Sequence, residues 1–292
     1  MRIIRVFPRR TSMTPTDKYA FVGAPPMIRP EADEVHVDCT FTWDTLPLKE
    51  KELPLAEYLR LAWSQYYPVV KLGGVAFDDP CNGFVPGQYV RQGVVFTSRG
   101  CNNQCPWCLA WRREGKLREL PIREGNVIQD NNLFQCPSPH IEKVFTMLKG
   151  QHNIQFSGGL DARLITDNIA DSLRNLRIGQ IFLACDTDSA IKPLEQAVKR
   201  LQMARQKIRC YVLVAYNGET ISHAEERLRA VYEISCLPFA QLYQPPDKWI
   251  KYPKEWRDLA RTWSRPAAIK ALMRAQPPRI ELQLGVDDGL ET

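Results

Sequence analysis

From Gly93 onward the chain alternates short apolar runs with amphipathic segments, and this pattern leaves few folds open. The intervening segments place apolar residues at helical spacing, as in Ile191, Leu194, Val198 and Leu201, which are 3, 4 and 3 residues apart. The runs themselves are Val94–Thr97, Asn126–Gln129, Ile154–Ser157, Gln180–Ala184, Ile208–Ala215 and Leu237–Tyr243. Where such runs are apolar throughout and do not alternate with polar residues, they are typical of parallel strands covered by helices. The pattern therefore predicts successive strand–helix units.

The number of these units indicates the kind of sheet. Six units of roughly 28 residues each suit an open barrel, since a closed barrel of this type uses eight units and about 250 residues. We therefore predict an α/β fold in which residues 93–244 form a partial (β/α)6 TIM-like barrel.

The two flanking segments differ from this core. Residues 1–92 predict a small α/β leader with one helix, Leu55–Tyr66. Its expected strands are Arg2–Phe7, Glu34–Trp43 and Pro68–Phe77. Residues 245–292 predict a basic helical extension with an acidic tail, because nine Lys/Arg and only three acids lie within Pro245–Arg279.

Nine cysteines are many for a chain of 292 residues whose start lacks the apolar core of a signal peptide. No apolar run approaches the roughly 18–20 residues of a membrane span. We therefore expect a cytoplasmic protein without a membrane segment. In a reducing compartment, cysteines are expected as thiols or metal ligands rather than disulfides.

Three of these cysteines lie together in the segment S-R-G-C-N-N-Q-C-P-W-C, directly after the first predicted strand. Cys101, Cys105 and Cys108 have the spacing C-x3-C-x2-C, which allows three thiolates to converge. A structural zinc site is the plain alternative, but it needs four ligands, and the next cysteine is Cys136. A [4Fe–4S] cluster held by three cysteines would instead keep one iron open. The spacing therefore favours an iron–sulfur cluster.

This segment resembles the cluster-binding loop of the radical S-adenosylmethionine (SAM) superfamily. Members carry C-x3-C-x2-C, with an aromatic residue before the last cysteine, after the first strand of a partial (β/α)6 barrel; Trp107 is the aromatic residue here. The resemblance covers about Gly93–Tyr243 and implies that Cys101, Cys105 and Cys108 bind three irons while SAM binds the fourth. It also implies reductive cleavage of SAM to a 5′-deoxyadenosyl radical that abstracts hydrogen from a substrate. A reductant such as flavodoxin or ferredoxin is the implied partner, and the substrate stays unassigned.

The resemblance also implies cofactor contacts where the second and third strands end, since sites in βα barrels lie at the carboxyl ends of strands. After the second strand, members bind the SAM amino group through a short motif; Asp130 or Asn131 occupies that position here, without the motif's glycines. After the third strand, Gly158 and Gly159 allow close backbone approach. We expect these four residues at the cofactor.

Polar residues near the ends of the later strands complete the candidate site. Asp161 and Arg163 are candidate substrate contacts, with capping of the next helix as the alternative role for Asp161. Asp186, after the fourth strand, is a candidate contact to a ribose or substrate. The segment after the fifth strand resembles the family's adenine-side loop and contributes Tyr216, Asn217 and Glu219.

Other features predict structural roles. Cys185, Cys210 and Cys236 recur at the strand–helix period, so we expect small buried thiols. The leader resembles a degenerate cobalamin-binding domain, but Glu34–Cys39 does not match the D-x-H-x-x-G motif that supplies a cobalamin ligand. We therefore expect no cobalamin there.

Two alternatives stay open. Trp249, Trp256 and Trp263 are seven residues apart in the basic extension, which favours packing of one helical face over contact with nucleic acid. The second- and fifth-strand motifs are atypical for the family. The alternative function is therefore a non-catalytic iron–sulfur protein whose cluster serves structure or electron transfer.

Overall fold

The computed structural model describes residues 1–47, 52–78 and 84–275. Helices and parallel strands alternate along much of this part of the chain. Its strands are β1 Ile3–Phe7, β2 Ala20–Val22, β3 Glu34–Asp38, β4 Val70–Gly73, β5 Val94–Val95, β6 Ser98–Arg99, β7 Arg118–Glu119, β8 Val127–Ile128, β9 Ile154–Leu160, β10 Ile178–Ala184, β11 Ile208–Val214 and β12 Leu237–Leu242. Its helices are α1 Leu55–Ser64, α2 Ala110–Glu114, α3 Ser138–Lys149, α4 Asp167–Arg174, α5 Ile191–Leu201, α6 Ile221–Glu233, α7 Lys254–Trp263 and α8 Pro266–Ala275. The predicted α/β class is confirmed.

The larger sheet has the strand order β5-β8-β9-β10-β11-β12, with every neighbouring pair parallel. Helices α3, α4, α5 and α6 connect consecutive strands from β8 to β12. No pairing joins β5 to β12 among the described residues, so this sheet is open. Because all strands run the same way, their carboxyl ends meet along one edge, where polar loops are brought together.

The amphipathic pattern explains how the helices cover this sheet. Helix α5 buries Leu194, Val198 and Leu201, three of the four residues predicted from the 3, 4, 3 spacing, and the fourth, Ile191, is partly buried against the core. Helices α4 and α6 begin at threonine caps: the Thr166 hydroxyl accepts from the Ile169 N–H, and the Thr220 hydroxyl accepts from the His223 N–H. The threonine caps and the buried apolar residues therefore both favour helices in these connections between strands.

The three cysteines at the strand period are buried thiols, as predicted. Cys185, Cys210 and Cys236 are each 0% exposed within the main apolar core. Burial raises the pKa of Cys185 and Cys236 to about 12, so both are neutral thiols near physiological pH. They behave as small apolar side chains.

The leader forms a second parallel sheet of order β2-β1-β3-β4, with Leu59 and Trp63 of α1 buried in its core. Strand β2 was not among the predicted strands, because three residues are too few to show a periodic pattern. The predicted Glu34–Trp43 strand stops at Asp38, and Trp43 lies instead in a short 3-10 turn whose Asp44 is buried and paired with Arg9.

The expectation of one tryptophan face in the extension is wrong. Trp256 and Trp263 lie on α7 and pack against the core, but Trp249 lies before the helix and is 41% exposed. Pro253 explains the late start of α7, since a proline disfavours helical backbone in the residue before it. The acidic tail lies outside the described residues. Across the described ranges, no helix is long and apolar enough to cross a bilayer.

Candidate functional site

The cysteine segment begins just after β6, which pairs antiparallel with β7 outside the larger sheet, and it turns sharply at Gly100. This residue has φ +81°, and a Cβ on it would lie 2.3 Å from the Lys116 carbonyl oxygen. A side chain at this position would therefore clash with the returning chain. The turn directs Cys101, Cys105 and Cys108 into one cavity of about 500 Å³.

This cavity lies at the carboxyl edge of the larger sheet and collects most of the predicted site. Besides the three cysteines, its wall contains the predicted residues Trp107, Asn131, Gly158, Gly159, Asp161, Arg163 and Asp186. The predicted residues outside its wall are Asp130, Tyr216, Asn217 and Glu219. Polar loops that are far apart in sequence therefore meet opposite the cysteine segment.

The two glycines serve the cavity in different ways. A Cβ on Gly158 would lie 1.9 Å from the Asp130 carbonyl oxygen, so β9 approaches the end of β8 closely only with glycine there. Gly159 has φ +92°, and a Cβ on it would be in ordinary contact with the Tyr211 ring. Gly158 is thus needed for packing between strands, and Gly159 for the local backbone conformation.

Asp130 is turned away from the cavity and into the protein. It is 3% exposed, and its Oδ1 accepts from the Thr97 N–H at 2.7 Å. Its Oδ2 accepts from the hydroxyls of Thr97 and Ser98 at 2.5 and 2.7 Å. The structure therefore gives Asp130 a different place from the predicted cofactor contact: it holds the strand that leads into the cysteine segment.

Asp130 should make the free energy of unfolding depend on pH. Burial raises the pKa of its carboxyl, and the hydrogen bonds from Thr97 and Ser98 offset only part of this. Its contribution to folding is then fully present below the unfolded pKa of about 3.9 and is lost as pH rises through the folded pKa. We expect Asp130→Asn to abolish this pH dependence of the free energy of unfolding. Urea unfolding across pH should show the free energy of wild type falling relative to the variant as pH rises; a constant difference would contradict the assignment.

Asp186 anchors the cysteine segment to the sheet. Its Oδ2 accepts from the Trp107 indole N–H at 3.1 Å, and its Oδ1 accepts from the Leu213 N–H of β11 at 3.1 Å. Burial raises the pKa of this carboxyl, while these two hydrogen bonds favour its charged form. Tyr216 packs edge-on against Trp107 and Tyr243, with ring centroids 5.5 and 4.8 Å away. It therefore supports Trp107 from behind the cavity wall.

Glu219 and Asn217 shape the loop after β11. Glu219 accepts from the Ala215 N–H at 2.9 Å and forms a buried ion pair with Arg227 of α6. Arg227 also donates to the Leu213 carbonyl at 2.8 Å. Asn217 has φ +51°, a left-handed turn conformation that asparagine tolerates. Both residues therefore stabilise the conformation of this loop, and neither lines the cavity that the cysteines line.

Asp161 and Arg163 connect the third strand to the cysteine segment. Asp161 accepts from the Arg163 N–H at 3.1 Å, which is the capping role considered as the alternative. It also accepts from the Arg163 side chain and from the Asn103 amide at 3.0 Å. Asn103 in turn accepts from the Gln135 amide at 3.0 Å. This chain of contacts fixes the position of the cysteine segment over β9.

Cys101, Cys105 and Cys108 line the cavity as free thiols. Within the described residues, no group of three or more His, Cys, Asp or Glu converges to hold a single metal ion. In a four-iron cluster each thiolate binds a different iron, so the sulfurs need not meet at one point. Burial raises the pKa of Cys105 and Cys108, so these thiols must lose their protons when they bind metal.

Sequence reasoning missed Asn132, which lines the same cavity. Its side chain is buried, and its Oδ1 has no hydrogen-bond donor among the described residues. A buried acceptor without a donor is costly, so this oxygen is suited to a donor brought by a ligand. The run Gln129–Asn132 suggested a polar strand end, but only the fold decides which of its side chains face the cavity.

No model of a known protein family matches this sequence, and the comparison with curated proteins finds no match either.

Proposed function

We propose that this chain is a cytoplasmic radical SAM enzyme in which Cys101, Cys105 and Cys108 hold one [4Fe–4S] cluster. The observation that carries the proposal is the shared cavity: the three thiols face the carboxyl edge of a parallel sheet whose six strands follow in chain order. This strand order supports a partial (β/α)6 TIM-like barrel. When bound, the cluster and SAM would supply a 5′-deoxyadenosyl radical for hydrogen abstraction.

The residues of the chain then have distinct tasks. The contacts of Asn103 with Asp161 and Gln135 orient the cysteine segment, and Asp186 holds Trp107 beside it. The cavity is large enough for a nucleoside-sized ligand, since typical small-molecule sites measure about 300–1,000 Å³. The donor set fits the cofactors: three thiols suit iron, and the unsatisfied Asn132 oxygen suits the ammonium of an amino acid.

The variant Asn132→Leu tests whether the Asn132 side-chain oxygen contacts SAM, and it does so without an expected loss of folding stability. Removing a buried acceptor that lacks a donor should leave the free energy of unfolding unchanged or raised. Loss of a hydrogen bond to a charged amino group should weaken SAM binding by about 1.5–3 kcal/mol, roughly 10- to 150-fold. Equilibrium dialysis of the reconstituted protein with labelled SAM measures the binding. Unchanged SAM affinity would show that the Asn132 oxygen does not meet the cofactor.

The proposal is tested by anaerobic reconstitution with iron and sulfide, chemical reduction, and measurement of 5′-deoxyadenosine formed from SAM. Flavodoxin or ferredoxin should replace the chemical reductant. We expect a [4Fe–4S] absorbance and SAM-dependent 5′-deoxyadenosine. A reconstituted protein that binds zinc and no iron–sulfur cluster would rule the proposal out.

A non-catalytic iron–sulfur protein is the second candidate. The observation that favours it is that Asp130 and Glu219, two expected cofactor contacts, are fully engaged inside the protein. This candidate predicts the same cluster absorbance and no 5′-deoxyadenosine. The same assay therefore separates the two functions.

A further inference from the structure

A second cavity of about 560 Å³ adjoins the cysteine cavity, and both are lined by Trp107, Leu213 and Gln241. We name it the aromatic cavity. Its other walls come from the leader, through Thr42, Trp43 and Leu46, and from the connection between β12 and α7. A ligand in the aromatic cavity would therefore lie directly beside the candidate cofactor site.

The mouth of the aromatic cavity offers flat aromatic surface. Trp43 and Trp249 meet edge to face with centroids 5.5 Å apart, and Phe41 stacks on Trp43 at 4.5 Å. Trp249 is 41% exposed, although a tryptophan of a packed core would be covered. Lys248 is exposed beside it and lines the same cavity. Trp43 is half-buried, and the exposed Trp249 ring beside it is suited to stacking against a planar base.

The connection that carries Trp249 is held in place. The Gln244 side chain donates to the Ile250 carbonyl at 3.0 Å and accepts from the Ile250 N–H at 2.9 Å. The Tyr252 hydroxyl donates to the Tyr243 carbonyl at 2.6 Å. Trp249 and Lys248 are therefore presented by an ordered loop, and α7 begins five residues after Trp249.

A row of exposed cations follows from this loop. Lys254, Arg257 and Arg261 are 3 and 4 residues apart on α7, so they share one face, and Arg265 lies two residues after the end of the helix. All four are exposed, whereas the opposite face of α7 packs Leu259 and Trp263 into the core. Lys254 pairs with Asp258 at 2.8 Å; no described carboxylate is within ion-pair distance of the three arginines. We name these four residues the cationic row.

We propose that the aromatic cavity and the cationic row bind single-stranded nucleic acid, with an unpaired base stacked in the cavity and neighbouring phosphates on the row. The inference deepens the proposed function, on which it rests, by naming its substrate class. Both halves of the surface are needed for this choice: cations alone suit any polyanion, but the adjoining indole rings suit only one that carries planar bases. A base paired in a duplex is not free to enter such a cavity.

The test is fluorescence anisotropy of the full chain with labelled RNA and DNA oligonucleotides of about 12 residues, a length within the range of single-strand sites. We expect binding that weakens with salt, with a slope of about −0.7 for each phosphate neutralised. The triple variant Arg257→Gln, Arg261→Gln, Arg265→Gln should reduce the slope by about 2. Its matched control is Lys143→Gln, Lys149→Gln, Lys192→Gln, which removes three exposed cations from α3 and α5.

The stacking of a nucleotide base on Trp249 is tested separately from the phosphate contacts. Trp249→Ala should weaken oligonucleotide binding at least fivefold without changing the salt slope, and Trp249→Phe should recover part of the loss. Equal binding of duplex, polyglutamate or phosphatidylserine vesicles would overturn the proposal, as would equal losses in the two triple variants. Oligonucleotide binding is measured without SAM. A negative result there would overturn the nucleic-acid proposal and leave the test of SAM cleavage unaffected.

Discussion

Replacing any one of Cys101, Cys105 or Cys108 with alanine is expected to abolish cluster binding and 5′-deoxyadenosine formation. The three thiols line one cavity, and each would hold a different iron. Two remaining cysteines cannot supply the third ligand, since the other described cysteines, Cys39, Cys136, Cys185, Cys210 and Cys236, are buried and lie outside the cavity wall. Visible absorbance and iron content after anaerobic reconstitution measure the loss of the cluster.

The matched control is Cys210→Ala. Cys210 lies within β11, and burial raises its pKa well above the ordinary value, so it is a poor metal ligand. This variant should keep the cluster and its iron content, with only the modest loss of stability that follows from a small cavity. Retention of a full cluster in one of the three site variants, or its loss in Cys210→Ala, would show that the ligands have been assigned wrongly.

Arg227→Leu is expected to lower the free energy of unfolding by about 3–5 kcal/mol, because it leaves the Glu219 carboxylate buried without the guanidinium group. The half-exposed His223 ring, 3.6 Å from Glu219, is then its remaining ion-pair neighbour. The side chains of Arg227 and Glu219 are only 5% and 7% exposed. The loss should also loosen the loop after β11, since Glu219 holds the Ala215 N–H and Arg227 holds the Leu213 carbonyl. Urea denaturation followed by circular dichroism gives the free energy directly.

Lys199→Ala is the control for this prediction. It removes an exposed ion pair with Glu195 one turn away on α5, and such pairs contribute about 0.3–0.5 kcal/mol. The double variant Arg227→Leu, Glu219→Leu should recover part of the stability, because neither charge then remains buried alone. If Arg227→Leu costs no more than Lys199→Ala, the buried pair does not stabilise the loop.

Much of the architecture could be predicted from local pattern. The apolar runs beginning at Val94 and ending near Tyr243 correspond to the strands of the larger sheet, and the 3, 4, 3 spacing in α5 gives its buried face. These predictions hold because every strand–helix unit buries apolar residues on the parallel sheet, and the spacing of those residues is visible in the sequence. The spacing of Cys101, Cys105 and Cys108 similarly required them to lie close together.

The orientation of individual polar side chains could not be predicted in this way. Asp130 and Asn132 lie two residues apart at the end of one strand, yet the first supports Thr97 and Ser98 while the second faces the cavity. The sequence made Glu219 a candidate cofactor contact. In the structure it pairs instead with Arg227, eight residues further along the chain. A polar residue after a strand has several partners within reach, and only the packing of distant segments decides among them.

The sequence by itself therefore determined the parallel α/β core, its buried thiols and the cluster-like spacing of three cysteines, because these depend on periodicity and short separations. Only the tertiary structure decided that Trp249 leaves the helical face of Trp256 and Trp263 and joins Trp43 from the leader at one cavity. That contact joins residues about 200 positions apart, and its cause is the packing of the leader and the connection after β12 against one edge of the sheet.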